Sequence, residues 1–200
     1  MSMKECGQKS ISKIRKYLMK QSNNQKGCVL LATGLSGSGK TTILDRVKEL
    51  LDEQSIPAKR LDGDIGRKSF SSNLGFTLED RKKNHERAAS VASFLKLEGF
   101  VVLCSYIAPN EDIRNTFSEI CGGAYILHID CPIEECKKRD PKGMYGKVVD
   151  GMFLGNPFTG LHPDATYSTP EKCDLVLSTN KETIEQSAAK VVDFLQNIWR

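Results

Sequence analysis

The chain has 200 residues, of which 39% are hydrophobic and 27% charged, a composition typical of one globular domain. Its formal net charge of +4 is too small to indicate nucleic-acid binding, and no apolar run approaches the ~20 residues that span a membrane. The seven cysteines form no C-x-x-C pair and several lie in apolar runs, which favours buried thiols over disulfides. No secretory signal pattern opens the chain. We therefore expect a cytoplasmic protein that binds neither nucleic acid nor membrane.

Residues 1–26 are predicted to form an N-terminal extension. Within it, residues 10–20 would place Ile11, Ile14 and Leu18 on one face of a short amphipathic helix. The polar stretch at 21–27 is typical of a loop. A partly disordered tail is the alternative that the same pattern leaves open.

From Cys28 onward, predicted strands alternate with predicted helices. Short apolar runs typical of buried strands occupy residues 28–33, about 57–61, 100–105, 124–129 and 174–178. Helical periodicity occupies residues of about 40–54, 78–97, 110–120, 132–138 and 181–198. Thr77 has the signature of a helix N-cap before the second of these. The alternation predicts one α/β domain over residues 27–200, in which helices cover both faces of a parallel sheet of about five strands.

The stretch GLSGSGKTT, between the first strand and the first helix, fits the phosphate-loop pattern G-x-x-x-x-G-K-[ST] and predicts a P-loop NTPase fold. Its glycines let successive backbone amides point at phosphates, and the helix adds its positive end. Lys40 is expected to reach the β- and γ-phosphates, and the Thr41 hydroxyl to bind Mg²⁺. The ligand predicted is therefore ATP with Mg²⁺. The residues expected to hold it are Gly34, Ser36, Gly37, Ser38, Gly39, Lys40, Thr41 and Thr42.

An acidic pair, Asp62 and Asp64, ends the second predicted strand, and Arg67 follows it. In a parallel sheet, ligands bind beyond the carboxyl ends of the strands. The two carboxylates can bind Mg²⁺ and accept a proton from an attacking hydroxyl, and Arg67 can clamp an anion. A solvated acidic turn is the structural alternative.

Residues 139–170 break the alternation, because they contain several Gly, Pro and Asn residues and little periodicity. An irregular stretch of this length inside a compact domain is typical of a lid over a ligand site.

Six motifs in one order carry a family resemblance: GLSGSGKTT, LDGD with Arg67, LGFTLEDRKKN, SYIAP, RDPKGMY and NPFTG. Over about residues 26–199 the sequence resembles adenylylsulfate kinases. The resemblance implies transfer of the ATP γ-phosphate to the 3′-hydroxyl of adenosine 5′-phosphosulfate, giving 3′-phosphoadenosine 5′-phosphosulfate and ADP. It also implies that the protein forms a homodimer.

The same resemblance implies roles for individual residues. Asp64, with Asp62 and Lys40, falls on the catalytic positions, and Asp64 with Thr41 on those that hold the metal. Positions that contact the nucleotide acceptor are Arg67, Arg81 and Asn84 at the phosphosulfate, Phe76 and Phe158 around the adenine, Ile107 and Ala108 in the loop after the third strand, and Lys142 in the lid. Alone, either phenylalanine could be core and Arg81 a solvated helix residue. His85 and His128 are interpreted as structural.

The sequence departs from the family pattern at five positions predicted to surround the acceptor pocket and lid. They are Ile65, Ala108, Asn110, Glu111 and Gly146. These changes leave open a sister kinase whose acceptor is another modified nucleotide, such as cytidine diphosphoramidate, because stacking tolerates either base. A third hypothesis is a nucleotide-binding regulatory module without turnover. Retention of Lys40 and of both acidic residues disfavours that hypothesis.

Overall fold

The computed structural model describes residues 27–200, so the predicted extension at 1–26 lies outside the described residues. In chain order the elements are β1 (Cys28–Thr33), α1 (Lys40–Glu53), β2 (Ala58–Asp62), α2 (Gly63–Lys68), α3 (Leu78–Leu97), β3 (Val101–Ser105), α4 (Glu111–Ile120), β4 (Tyr125–Asp130), α5 (Ile133–Arg139), β5 (Met152–Phe153), β6 (Asn156–Pro157), β7 (Leu175–Ser178) and α6 (Ile184–Ile198). The five strands β1 to β4 and β7 form a parallel sheet of order β2-β3-β1-β4-β7, as the sequence predicts.

Each face of the sheet is covered by helices, because successive side chains of the central strand point to opposite sides. Leu30 and Ala32 of β1 belong to an apolar cluster with α1 and α6. Val29 and Leu31 belong to a second cluster with α3 and α4. All four side chains are fully buried, which explains why β1 is a continuous apolar run rather than an alternating one.

The register of the strands brings the predicted site residues to one edge of the sheet. Ser105 at the end of β3 lies opposite Asp62 of β2 on one side and Ala32 of β1 on the other. Asp62 then caps α2, since its Oδ1 accepts hydrogen bonds from the backbone amides of Asp64 (2.9 Å) and Ile65 (3.4 Å). The sequence did not predict α2, because six residues are too few to show helical periodicity.

Residues 139–170 contain more structure than their sequence indicates. They include the β5-β6 hairpin and two 3₁₀ turns, Tyr145–Lys147 and Pro163–Ala165. Tyr145 and Phe158 of this segment pack against Cys131 and Cys136 in a third apolar cluster. Strands of two residues carry no periodic signal, so only the packing reveals them.

Five of the six cysteines in residues 27–200 are buried and all six are free, which confirms the prediction of buried thiols there; Cys173 is half-buried. Thr77 is confirmed as the N-cap of α3, because its hydroxyl accepts a hydrogen bond from the Asp80 amide. No helix among residues 27–200 is both long and apolar enough to cross a membrane.

Candidate functional site

A cavity of about 530 Å³ opens at the carboxyl edge of the sheet. It brings together most of the residues that the sequence analysis singled out. Those lining it are Ser36, Gly37, Gly39, Lys40, Thr41, Thr42, Asp62, Asp64, Arg67, Phe76, Arg81, Asn84, Ile107, Lys142 and Phe158. The phosphate loop, the acidic pair and residues of the 139–170 segment therefore share one space.

Three predicted contact residues, Gly34, Ser38 and Ala108, do not line this cavity. Gly34 is held behind the loop, where an added Cβ would lie 2.7 Å from the Ile129 carbonyl oxygen. Ser38 is fully buried, and its carbonyl accepts a hydrogen bond from Thr179. We conclude that Gly34 and Ser38 shape the loop. Ala108 is fully buried in the core, so its side chain does not line the cavity, and its contact with the acceptor stays a prediction.

Lys40 lies inside the phosphate loop. Its Nζ donates hydrogen bonds to the carbonyls of Gly34 (2.9 Å) and Leu35 (2.7 Å). Burial, with a further contribution from the positive charge of Lys142, lowers the pKa of Lys40 to about 8. A buried ammonium group and a second one near it disfavour each other's charge, so they create a site that an anion stabilises.

Asp62 is a buried carboxylate with a full set of donors. Its Oδ2 accepts from the hydroxyls of Ser105 (2.7 Å) and Thr41 (2.9 Å), while its Oδ1 caps α2. Burial opposes ionisation, but the hydrogen bonds outweigh it and hold the pKa of Asp62 below its usual range. Asp62 therefore stays ionised and fixes the Thr41 hydroxyl beside the phosphate loop.

Asp64 differs from Asp62 because its side chain is 57% exposed and faces the cavity. Its carboxylate pairs with the ammonium group of Lys142, from the 139–170 segment. Asp64 is thus the carboxylate that a substrate hydroxyl can reach, whereas Asp62 is already occupied by protein donors.

The cavity's oxygen donors suit Mg²⁺, a hard cation that is commonly held by one or two protein oxygens together with substrate phosphates. Thr41, Asp62 and Asp64 supply a hydroxyl and two carboxylates on one wall. Within residues 27–200 there is no cluster of three or more His, Cys, Asp or Glu residues that could hold a metal by itself. These residues fit a cation that arrives with a nucleotide.

Two arginines line the side of the cavity formed by α2 and α3. Arg67 stacks over the ring of Phe76, 4.6 Å from its centroid, and donates to the Gly75 carbonyl (2.6 Å). Arg81 donates to the carbonyls of Phe76 and Pro157 and to the Thr159 hydroxyl (2.7 Å). Arg81 is therefore no solvated helix residue, because it ties α3 to the 139–170 segment.

The two predicted aromatic contacts differ in how firmly they are held. Phe158 is 6% exposed and packs edge-on against Tyr145, with ring centroids 5.0 Å apart. Phe76 is 43% exposed and its ring contacts the Arg67 guanidinium. Both face the cavity, so the alternative that both are simply core does not hold for Phe76.

The cavity wall also contains residues for which the sequence predicted no individual contact, and two of them carry polar groups on the acceptor side. His85 was interpreted as structural, and Tyr106 was predicted only as part of the SYIAP loop along the substrate, yet both line the cavity. A signal for His85 was present, since Arg81, Asn84 and His85 stand at positions i, i+3 and i+4 of one helix and must share a face. Tyr106 adjoins Ile107 in the loop that was predicted to follow the substrate.

The five departures from the family pattern lie outside the cavity lining. Ile65 is 66% exposed, Asn110 caps α4, and the Gly146 amide donates to Asp140. Glu111 pairs with the fully buried Arg114 (3.0 Å) and accepts from the Glu171 amide (2.7 Å). None of the five residues therefore contacts the cavity directly, although Ile65, Ala108 and Asn110 adjoin lining residues and Gly146 belongs to the 139–170 segment. Glu111 neutralises the buried charge of Arg114 within the fold.

Comparison with known proteins gives a consistent result. The model of the family described as adenylylsulphate kinase matches residues 26–178. The chain is 42% identical to the adenylyl-sulfate kinase of Halothermothrix orenii over 86% of this chain and 91% of that one, and 37% identical to that of Clostridium acetobutylicum over 92% and 91%. It is similar to the structure of the APS kinase of Mycobacterium tuberculosis in complex with AMPPNP and APS, with a TM-score of 0.79 and 34% identity over 86% of this chain and 98% of that one.

Proposed function

The chain belongs to the adenylylsulfate kinase family, and we propose that it transfers the γ-phosphate of ATP to the 3′-hydroxyl of adenosine 5′-phosphosulfate. The products are 3′-phosphoadenosine 5′-phosphosulfate and ADP. The observation that carries the proposal is the single cavity in which the phosphate loop and the exposed carboxylate of Asp64 face the same space. A kinase needs a phosphate loop and a proton acceptor within reach of one another, whereas a module that only binds nucleotide has no use for the proton acceptor.

The donor nucleotide binds with its phosphates on the loop at Ser36 to Thr42. Backbone amides and the Lys40 ammonium group meet the phosphate oxygens, and the α1 N-terminus adds its partial positive charge. The Thr41 hydroxyl would hold Mg²⁺, and the cation would supply positive charge that offsets the charge of the nucleotide phosphates. Asp62 keeps that hydroxyl in position through its 2.9 Å hydrogen bond.

Asp64 acts on the acceptor. It takes the proton from the 3′-hydroxyl as the new bond from that oxygen to the γ-phosphorus forms and the bond to the departing ADP oxygen breaks. Lys142 lies against Asp64 and supplies a positive charge where the transferring phosphoryl group passes. Most of the rate then comes from alignment and charge neutralisation rather than from covalent chemistry.

The acceptor nucleotide is held by the opposite wall. Arg67, Arg81 and Asn84 bind the phosphosulfate, and Phe76 and Phe158 stack on the adenine. Base stacking on an aromatic ring contributes about 1–3 kcal/mol per base. The 139–170 segment acts as the lid that excludes water, which is supported by the bonds from Arg81 to Pro157 and Thr159.

We further propose that residues 27–200 form the kinase domain, that the protein acts in the cytoplasm and that it works as a homodimer. Buried free thiols in the described part of the chain support a reducing compartment. Family resemblance supports the dimer, which sedimentation of the full-length protein tests.

A panel of acceptors in a coupled ADP-release assay tests the function. ATP, Mg²⁺ and adenosine 5′-phosphosulfate should release ADP, and the product should carry phosphate on its 3′-oxygen. Release of ADP with a cytidine diphosphate derivative and none with adenosine 5′-phosphosulfate would identify a sister kinase. Tight binding of ATP without ADP release on any acceptor would overturn the assignment as an enzyme.

A further inference from the structure

Three buried polar atoms on the acceptor side of the cavity have no hydrogen-bond partner within residues 27–200. They are Asn84 Oδ1, His85 Nε2 and the Tyr106 hydroxyl. The residues are 2%, 8% and 3% exposed, and all three line the cavity. Buried polar groups in folded proteins are nearly always paired, because an unpaired one destabilises the fold. A set of unpaired groups on residues that line one cavity therefore points to a ligand.

The hydrogen-bonding state of His85 follows from its other ring nitrogen. Nδ1 lies 2.7 Å from the carbonyl oxygen of Arg81, which can only accept, so Nδ1 carries the hydrogen. Burial and the positive charges of Arg67 and Arg81 lower the pKa of His85 to about 4, although the hydrogen bond to the Arg81 carbonyl opposes this shift. At neutral pH the ring is uncharged, and Nε2 carries a lone pair that no described residue uses.

Tyr106 lies beside His85, with ring centroids 5.4 Å apart. Burial raises the pKa of its hydroxyl, which therefore stays protonated and can donate. Gly66 packs directly against that hydroxyl, since an added Cβ would lie 3.1 Å from the Tyr106 oxygen and 2.8 Å from Phe70 Cζ. Two neighbouring residues of the cavity wall thus carry an unpaired acceptor atom and an unpaired donor group.

We propose that His85 and Tyr106 are specificity-determining residues for the acceptor nucleotide: His85 Nε2 accepts a hydrogen bond from an N–H or O–H group of the acceptor, and the Tyr106 hydroxyl donates to an adjacent oxygen or nitrogen. The inference rests on the proposed function and specifies its acceptor site. A phosphosulfate is fully ionised at neutral pH and has no hydrogen to donate. The matching group is therefore the exocyclic amine of the base with its neighbouring ring nitrogen, or a ribose hydroxyl.

The test compares adenosine 5′-phosphosulfate with two analogues, one with inosine as the base and one lacking the 2′-hydroxyl. We measure kcat and KM for the full chain and for His85→Phe and Tyr106→Phe. The wild-type protein should reject one of the analogues by about 10²-fold in kcat/KM. Rejection of the inosine analogue identifies the base amine, and rejection of the deoxy analogue identifies the ribose.

In His85→Phe that discrimination should fall to within a few-fold, while KM for ATP is unchanged. Tyr106→Phe should raise KM for adenosine 5′-phosphosulfate by about tenfold with a similar kcat. Because the Tyr106 hydroxyl has no partner in the described fold, this variant should unfold at the wild-type temperature. Tyr125→Phe, whose ring packs on Phe194 away from the cavity, is the matched control.

Two results would overturn the inference. One is that both variants still discriminate against the analogues, in kcat/KM, as strongly as the wild-type protein does. The other is a wild-type KM that falls on acidification from about pH 8 to pH 6, with no such change in His85→Phe. That result would mean that His85 binds an anion as a cation, alongside Arg67 and Arg81. Failure of the proposed function looks different, because wild-type protein would then prefer another acceptor in the panel, on which the same variants would be compared.

Discussion

The donor and acceptor halves of the cavity are built in different ways. On the donor side, Lys40 contacts carbonyls only five and six residues earlier in the chain. On the acceptor side, Lys142 meets Asp64 and Arg81 meets Thr159 across 78 residues each. The donor half is thus a local structure that one motif encodes, whereas the acceptor half exists only after the chain has folded.

The two halves also differ in how far the protein satisfies its own polar groups. Asp62, between them, has donors from Thr41, Ser105 and two amides. The acceptor wall instead leaves polar atoms of Asn84, His85 and Tyr106 without partners in the described fold. A self-contained donor half suits a substrate common to many kinases. An acceptor half whose polar groups are left without hydrogen-bond partners can differ between relatives without disturbing the phosphate loop.

The largest effect should come from the residue at the boundary of the halves. Asp64→Asn removes the proton acceptor but keeps the shape of the side chain, so kcat should fall by about 10³-fold. Affinity for ATP should change less than threefold, as measured by equilibrium titration. Asp193→Asn, an exposed change on α6, controls for the loss of a carboxylate. Full activity of the Asp64 variant would disprove this role, and weakened ATP binding would show that the halves are not separable.

Arg81→Lys should affect the acceptor half alone. A single ammonium group cannot span the carbonyls of Phe76 and Pro157 and the Thr159 hydroxyl as the guanidinium does. Loss of about 2 kcal/mol would raise KM for the acceptor ~30-fold. KM for ATP should stay within twofold.

Arg87→Lys is the control for that change. It lies on the same helix, donates to Phe70 and Asn73, and does not line the cavity. Equal rises in both KM values in Arg81→Lys would contradict the separation of the halves.

The same difference explains what could be predicted from sequence. The five strands, their parallel pairing and the phosphate loop follow from apolar runs and fixed spacing, which are local signals. The role of Glu111 could not be predicted, because the sequence does not show that its partner Arg114 is fully buried in the fold. Short elements such as α2 and the β5-β6 hairpin were not predicted for a simpler reason. They contain too few residues to show helical or strand periodicity.

The donor half should reveal itself through pH. Because burial and Lys142 lower the pKa of Lys40 to about 8, the amine loses its proton above that pH in the free protein. A bound triphosphate favours the charged form, so binding above about pH 8 must take up a proton. The Kd for ATP should be flat below that pH and rise up to tenfold per pH unit above it.

Calorimetry across about pH 7 to 10 measures this dependence. Lys142→Ala removes the neighbouring charge, so the rise should begin at a higher pH. A Kd that stays constant over the whole range would show that Lys40 is fully charged in the free protein.

The smallest effect on activity should come from Glu111, although it is one of the five departures from the family pattern. Its carboxylate forms an ion pair with Arg114, which is 1% exposed and also donates to the Ala108 carbonyl (2.8 Å). Glu111→Gln keeps the shape but weakens that pairing, which should cost about 1–2 kcal/mol and lower Tm by about 3–6 °C. KM for the acceptor should change less than twofold, because the side chain does not line the cavity. If KM shifts while Tm does not, Glu111 belongs to acceptor recognition, and the boundary of the acceptor half has to be redrawn to include α4.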